Sequence, residues 1–173
     1  MFRRGLPEDA PQIFKLVAAE KMNPFNLKPE RFLVAEEEEE EGEEEENGGE
    51  GKRSIVAFGQ LAELQEEEES GPQLFELRSF VTVPRWRGQG IGSSIAKGLL
   101  EEAASRKKEG KEGKEALVVL TTISRRRDFY SRLGFEELFS SSIPKQLRLE
   151  IALGTIMARL VVGDSIIVMG KRV

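Results

Sequence analysis

Residues 80–94, FVTVPRWRGQGIGSS, constrain the fold more than any other part of the chain. An apolar run of β-forming residues ends at Pro84, and glycines then occupy every second position from 88 to 92. Beyond them the apolar residues recur at helical spacing, at Ile91, Ile95, Leu99 and Ala103. The pattern therefore predicts a strand, a glycine-rich turn and a helix that begins at about Ile91.

A turn of this kind presents the free backbone N–H groups of a helix start beside glycines, which carry no side chain to block them. Together with the helix dipole these groups favour a phosphate or pyrophosphate, and Arg85 and Arg87 add positive charge. A Walker A loop is excluded because Gly-Lys-Ser/Thr is missing, and the pattern G-x-G-x-x-G is completed from neither Gly88 nor Gly90. The alternative is a glycine-rich turn that binds no ligand.

A second run, Phe129-Tyr130-Ser131-Arg132-Leu133-Gly134-Phe135, has the form F-Y-x-x-x-G-F. Together with Arg87-Gly88-Gln89-Gly90-Ile91-Gly92, of the form Q/R-x-x-G-x-G/A, it resembles the two signatures of the GNAT superfamily of N-acetyltransferases. The resemblance implies an α+β fold (an α/β mixed sheet) in which helices flank a central, mostly antiparallel twisted sheet. It also implies acetyl transfer from acetyl-CoA to an amine, with no metal.

The resemblance assigns roles to individual residues. The backbone of Val81, Thr82 and Val83 would contact the pantetheine arm of acetyl-CoA, the co-substrate. The residues whose main chain would hold the pyrophosphate are Arg87, Gly88, Gln89, Gly90, Ile91, Gly92 and Ser93. Tyr130, the only tyrosine of the chain, would protonate the leaving thiolate. The alternative for Tyr130 is a core aromatic residue beside Phe129.

The attacking amine must lose a proton, and in a chain without His a carboxylate is the natural base. Glu76 lies eleven residues before Arg87, where some superfamily members carry a catalytic glutamate. In a regular strand, the side chain of Glu76 shares one face with those of Arg78, Phe80 and Thr82. An ion pair with Arg78, simple exposure of Glu76, and proton removal through water are the alternatives.

The sequence departs from the superfamily pattern before the tyrosine. Many members have Asn seven residues ahead of it, and this chain has Ile123 there. The polar residues that could contact the cofactor instead are Thr121, Thr122 and Ser124. The three arginines at 125–127 either approach CoA phosphates or form a solvated helix face.

Charge is distributed unevenly along the chain. Residues 36–51 hold 11 of the 31 acidic residues and none of the 26 basic ones, so the rest of the chain carries +6. Such a tract cannot bury apolar surface, and we expect a flexible acidic insert or a solvated hairpin tip within one acetyltransferase domain over residues 1–173. The acidic residues at 36–51 and 66–69 are also candidates for steering cationic acceptors.

Composition excludes several kinds of chemistry. Because the chain has neither Cys nor His, it has no disulfide, no thiol nucleophile, no thiolate metal site and no Ser-His-Asp arrangement. No apolar run approaches the ~20 residues that cross a bilayer, and the first residues do not resemble a secretory signal. We expect a cytoplasmic protein without a membrane partner, or a plastid one if a transit peptide was removed.

The periodicity of apolar residues predicts a mixed order of strands and helices. The expected strands are Phe2–Gly5, Phe32–Ala35, Ile55–Leu64, Leu74–Val83, Ala116–Leu120 and Ile166–Met169. The expected helices cover residues 8–20, 91–105, 125–133 and 144–159, and Gly134 is expected to cap the third.

Two other functions are weighed against acetyl transfer. The same fold could hold acetyl-CoA as a non-catalytic sensor or scaffold. Basic clusters at 106–108 and 125–127 suggest nucleic acid, but no aromatic residues are interleaved with them, so we expect no nucleic-acid partner. The sequence leaves open whether the acceptor is a small molecule, a protein lysine or a protein N-terminus, and whether the protein is a monomer or a homodimer.

Overall fold

The structure is a computed structural model that describes residues 1–22, 27–38, 53–64, 72–106, 115–139, 143 and 164–173. Its strands are β1 (Phe2–Arg4), β2 (Phe32–Glu38), β3 (Arg53–Glu63), β4 (Gln73–Thr82), β5 (Ala116–Ile123), β6 (Glu136–Glu137) and β7 (Ile166–Arg172). Its α-helices are α1 (Ala10–Ala19), α2 (Ile91–Ser105) and α3 (Arg127–Ser131). Short 3-10 turns cover Pro7–Asp9, Pro29–Arg31, Pro84–Trp86 and Ser124–Arg126.

The strands form one mixed sheet in the order β1-β2-β3-β4-β5-β7-β6. β4 and β5 pair in parallel, and the pairs β1–β2, β2–β3, β5–β7 and β6–β7 are antiparallel. Leu64 N–H donates to Leu74 C=O and Val83 N–H to Val56 C=O, which is the pattern of an antiparallel β3–β4 pair. The α+β fold with a mostly antiparallel sheet, predicted from the sequence, is confirmed.

The chain divides within β3, β4 and α2 into two compact units, and the first comprises Met1–Gln60 and Ser79–Gly98. Its core consists of the buried side chains of Ile13, Val17, Phe32, Val34, Ile55, Phe58 and Val81. Ile13 and Val17 are one turn apart on α1, which therefore buries a single face. The rings of Phe32 and Phe58 pack edge to face with centroids 5.4 Å apart.

The second unit comprises Leu61–Arg78 and Leu99–Val173, and β5 is its central strand. β5 pairs with β4 through Ala116–Val119 and with β7 through Leu117–Ile123. Three consecutive residues of β5 are buried, namely Val118, Val119 and Leu120. A run of this kind marks a strand covered on both faces, so the buried strand predicted at 116–120 is confirmed and extends to Ile123.

The differences between the predicted and observed elements have physical causes. β6 was not predicted because two glutamates carry no strand pattern, and its pairing with Gly170 and Met169 creates it. β2 continues to Glu38, so the predicted flexibility of the acidic tract is wrong for its first three residues. The rest of that tract, 39–51, lies outside the described residues. So do the second acidic stretch at 66–69 and the predicted helix at 144–159.

An ionic cluster explains why the start of the acidic tract is ordered. Arg3 donates to the two carboxylate oxygens of Asp9, at 2.7 and 2.9 Å, and also to the Glu36 carboxylate. The Glu36 side chain is only 5% exposed as a result. Asp9 Oδ2 in addition accepts Leu6 N–H at 2.7 Å and so caps the first helical turn. One guanidinium thus connects β1, the start of the first helical segment and β2.

Asp9→Asn is expected to lower the free energy of unfolding at pH 7 by about 2 kcal/mol, because it removes a charged hydrogen-bonded pair. For a chain of this size the melting temperature should fall by roughly 4–8 °C. The hydrogen bond from Arg3 lowers the pKa of Asp9 below its ordinary value of 3.8. Stabilisation by the charged form is therefore complete above pH 3.8 and is lost as the pH falls through the lowered pKa.

Thermal unfolding of wild type and variant at neutral and acid pH measures this effect. The two melting temperatures should converge in acid, and Glu8→Gln, which changes an exposed acid of the same turn, should leave the neutral value unchanged. Equal stability of wild type and Asp9→Asn at pH 7 would show that the cluster contributes nothing.

Candidate functional site

The glycine-rich turn between β4 and α2 is set by its backbone conformation. The 3-10 turn Pro84–Trp86 reverses the chain after β4. Gly88 and Gly90 both have φ of +81°, a left-handed conformation that other residues adopt at a cost. Gly90 C=O then accepts the first helical hydrogen bond, from Ser94 N–H at 3.0 Å. The turn therefore requires glycine at positions 88 and 90.

Six consecutive backbone N–H groups, from Gly88 to Ser93, donate to no acceptor in the described part of the chain. Arg87 N–H, which belongs to the same predicted set, is used within the turn and donates to Pro84 C=O. A Cβ atom built on Gly88 or Gly90 would meet nothing within 4 Å, so the space beside the turn is open. Free N–H groups at a helix start, with the helix dipole behind them, are suited to an anion.

Protein groups hold the arginine side chains of this turn. Arg87 donates through Nε to Thr82 C=O at 2.9 Å and through Nη2 to Glu20 Oε1 at 2.5 Å. The Arg85 side chain is 64% exposed and its guanidinium lies 3.8 Å from the Glu37 carboxylate. Glu20 was missed at the sequence level because no local pattern connects the end of α1 with a turn 67 residues later. The contacts of Arg87 brace the turn against the end of β4 and α1.

The predicted pantetheine-binding residues, Val81–Val83, lie at the end of β4. Val83 N–H donates to Val56 C=O, so this amide is already used in pairing with β3. Parallel pairing of β4 with β5 is confined to Gln73–Glu76. No residue of β4 beyond Glu76 is paired with β5 in the described ranges, and an unpaired strand edge suits an extended ligand. Contact with a pantetheine arm stays a prediction.

Glu76, the predicted base, is buried at 6% exposure and forms an ion pair with Arg78. The ion pair is one of the alternatives that the sequence left open, and it is compatible with a catalytic role. Ser79 has φ of +51°, so the backbone of β4 departs from regular strand geometry directly after Arg78. The condition under which Glu76, Arg78, Phe80 and Thr82 would share one face, a regular strand, is therefore not met. The role of Glu76 as a base stays a prediction.

Tyr130 lies on α3, and the hydrogen bonds that follow it form a Schellman ending. Phe135 N–H donates to Tyr130 C=O at 3.1 Å, and Gly134 N–H donates to Ser131 C=O at 2.9 Å. Gly134 has φ of +85°, as this ending requires, so the predicted helix cap is confirmed. The rings of Tyr130 and Phe135 complete it as an edge-to-face pair with centroids 5.9 Å apart. The spacing Y-x-x-x-G-F follows from this geometry.

The Tyr130 side chain is buried at 5% exposure, with the Phe129 ring centroid 5.0 Å away. Burial raises the pKa of Tyr130 to about 12, although the charge of Arg126 and a hydrogen bond with Thr122 oppose the shift. The phenol therefore keeps its proton at neutral pH, which is the form that a general acid needs. Thr122 was among the polar residues offered in place of the missing Asn, but no sequence pattern connected it with Tyr130.

Spectrophotometric titration is expected to give the tyrosine an apparent pKa of about 12, against an ordinary value of 10.0. The signal belongs to Tyr130 alone because the chain has no other tyrosine. Since the folded pKa is raised, the stabilisation from the neutral phenol is complete below pH 10.0 and is lost as the pH rises through about 12. The same titration in urea serves as the control and should return a value near 10. A value near 10 in the folded protein, with circular dichroism unchanged, would contradict the buried position.

The arginines at 125–127 make ion pairs within the second unit. Arg125 Nε lies 3.7 Å from Asp164 Oδ2, and Arg127 Nη2 lies 2.7 Å from Glu137 Oε2. Arg125 and Arg127 are thus paired with carboxylates. Asp164 was missed at the sequence level, although an Asp-Ser pair directly before the last strand is typical of a side-chain-capped turn.

Within the ranges described above, no group of three or more His, Cys, Asp or Glu side chains could hold a metal ion. None of the helices in those ranges is long and apolar enough to cross a membrane.

Comparison with known proteins identifies relatives of this fold. A family model described as an acetyltransferase (GNAT) domain matches residues 28–137, and no curated protein matches the sequence. Rv2747 from Mycobacterium tuberculosis, solved with CoA and NLQ, is 22% identical, with a TM-score of 0.59 over 97% of each chain. N-acetylglutamate synthase from Neisseria gonorrhoeae, solved with coenzyme A and N-acetyl-glutamate, is 12% identical, with a TM-score of 0.64 over 99% of this chain. Arabidopsis thaliana Naa50, solved with the bisubstrate analogue CoA-Ac-MVNAL, is 14% identical, with a TM-score of 0.55 over 99% of this chain and 97% of that one.

These structural likenesses establish the fold alone, because the identities are low. This chain spans only 34% of the gonococcal chain, about a third of its length. The family model, by contrast, covers more than half of the sequence, and its span includes both the glycine-rich turn and the Tyr130 signature. The chain therefore belongs to the GNAT family of acetyltransferases.

Proposed function

We propose that this protein is an N-acetyltransferase that moves the acetyl group of acetyl-CoA to a primary amine. Membership of the GNAT family supports acetyl transfer, and its structural neighbours include proteins solved with CoA. The observation that carries the proposal is the row of N–H groups at Gly88–Ser93, which have no acceptor in the described part of the chain and lie on a turn set by left-handed glycines. A pyrophosphate has the charge and the oxygens to accept from such a row.

In the proposed reaction the amine nitrogen attacks the thioester carbonyl directly, in a ternary complex. A C–N bond forms, the C–S bond breaks, and the CoA thiolate takes the proton of the Tyr130 hydroxyl. The phenolate regains a proton from the nitrogen that has become an amide, so a neutral amine and acetyl-CoA give an amide and CoA. No acyl-enzyme on sulfur arises, because the chain has no Cys. The amides at Gly88–Ser93 lower the barrier by fixing the coenzyme in place.

An amine that arrives as an ammonium must first lose one further proton. We assign this step to Glu76, acting directly or through ordered water, because it is a buried carboxylate on the strand that leads to the turn. Glu76→Gln is expected to lower kcat/KM at pH 7 by roughly tenfold, since water can still accept the proton at a lower rate. The pH profile of kcat/KM measures it, and a profile identical to that of the wild type would assign proton removal to water alone.

The absence of Cys makes the assay direct, because a thiol reagent then detects released CoA without a background from the protein. The acceptor panel should include amino acids and peptides with a free N-terminus, as the neighbours' ligands suggest, together with lysine and polyamines. Acetyl-CoA without amine serves as the control. Tight calorimetric binding of acetyl-CoA with no transfer to any amine would favour a sensor or scaffold. Amide resonances of 88–93 that do not move with CoA would exclude the proposed pyrophosphate site.

A further inference from the structure

The segment that carries Tyr130 is anchored to β7 at the point where it leaves β5. Ser124 Oγ donates to Asp164 Oδ1, and Arg125 N–H lies 3.4 Å from Asp164 Oδ2. Ser124 N–H also donates to Ser165 C=O at 2.8 Å. The carboxylate of Asp164 therefore receives the hydrogen bonds of the turn that precedes α3, just before β7 begins.

A second side chain anchors the same segment where α3 ends. Lys171 Nζ donates to Leu133 C=O at 2.8 Å. Leu133 N–H in turn donates to Tyr130 C=O at 2.9 Å. A Cβ atom on Gly134 would lie 3.2 Å from Lys171 Nζ, so the lysine runs alongside the helix cap. The lysine therefore supports the ending that fixes Tyr130.

The two anchors are complementary in charge and belong to one rigid support. A carboxylate lies at the N–H end of the segment and an ammonium at its carbonyl end, which are the signs that a helical segment favours. The β5–β7 ladder runs without a register shift from Ile123↔Ile166 to Leu117↔Arg172. Six consecutive paired residues of β7, 166–171, therefore fix most of the distance between the two anchors.

We propose that Asp164 and Lys171 are positioning residues for Tyr130, which hold residues 124–134 against β7 from both ends and keep the phenol in its buried position. The catalytic meaning of this inference rests on the proposed function, in which Tyr130 is the general acid. The positioning itself can be measured without turnover.

Titration of the single tyrosine gives the decisive measurement. Lys171→Met should lower the apparent pKa of Tyr130 from about 12 towards 10.0, because a loosened α3 lets water reach the phenol. Loss of the positive charge alone would raise that pKa, so the direction distinguishes positioning from direct electrostatics. Asp164→Ala should also lower it, and Lys171→Arg should restore it because a guanidinium can donate to Leu133 C=O.

Activity supplies a second and independent measurement. Both anchor variants should lower kcat by about tenfold with KM for acetyl-CoA unchanged, because a displaced acid affects proton transfer only. Arg172→Met and Glu115→Gln are matched controls. Arg172 directly follows Lys171, and its Nη1 atom lies 3.7 Å from Glu115 Oε2 in an ion pair between two exposed side chains. If an anchor variant fails to fold, Ser124→Ala is used in its place, because it removes the hydrogen bond between Ser124 Oγ and Asp164 Oδ1. Titration curves and kcat values equal to those of the wild type would overturn the inference, whereas altered titration without any acetyl transfer would overturn only the proposed function.

Discussion

Tyr130→Phe is expected to lower kcat for acetyl transfer by about 10²–10⁴-fold, the range of a positioned general acid. Phenylalanine keeps the ring packing against Phe129 and Phe135 and the backbone of the Schellman ending. The one group lost is the hydroxyl, so the CoA thiolate has to leave without a proton donor. KM for acetyl-CoA should change little because the N–H groups of the glycine-rich turn are untouched.

Steady-state CoA release with the best amine of the panel measures this effect. Thr122→Val is the matched control, since it removes the hydrogen-bond partner of Tyr130 and keeps the phenol. Its kcat should stay much closer to that of the wild type. A kcat for Tyr130→Phe equal to the wild-type value would remove Tyr130 from the reaction and leave it as a core aromatic residue.

The second large effect concerns the glycine-rich turn. Combined replacement of Gly88 and Gly90 by Ala is expected to raise KM for acetyl-CoA by roughly 30-fold or more. Each Ala in the left-handed region costs about 1–2 kcal/mol, and 1.4 kcal/mol corresponds to a factor of ten in affinity. No steric clash accompanies the change, because both positions open onto free space. The loss therefore comes from the backbone leaving the conformation that lines up its N–H groups.

Gly92→Ala provides the comparison within the same turn. Gly92 lies inside α2 with an ordinary helical backbone, and the superfamily pattern accepts Ala at this place. Its KM should rise much less than that of the double variant, while calorimetry with CoA separates binding from turnover. Similar KM values for all three proteins would mean that the left-handed glycines do not organise the binding of the coenzyme.

The parts of the site that could be predicted from the sequence are those determined by neighbours along the chain. The strand–turn–helix pattern at residues 80–94 depends on proline, glycine and helical periodicity, which act over a few residues. The Tyr130 signature is equally local, since Tyr130, Gly134 and Phe135 occupy defined positions of a single helix ending. Local signals of this kind were enough to give the fold class and the order of its described elements except β6.

The parts that could not be predicted depend on which distant residues meet. Arg3 contacts Glu36, which belongs to a glutamate run whose composition alone predicts flexibility. The contact between Ser124 and Asp164 joins residues 40 apart, and neither residue type is informative by itself. The irregular backbone of β4 at Ser79 likewise has no signal in the sequence, because serine rarely adopts a positive φ. Tertiary register decides all of these contacts.

The contact between Arg87 and Glu20 has a consequence for the thermodynamics of coenzyme binding. Because this guanidinium is already neutralised by a carboxylate, the proposed pyrophosphate site would depend mainly on peptide dipoles at short range. Screening by dissolved ions weakens interactions between exposed full charges far more than it weakens direct hydrogen bonds from the backbone. The affinity for CoA should therefore change little across a wide range of ionic strength, in contrast to sites that clamp phosphates with free arginines.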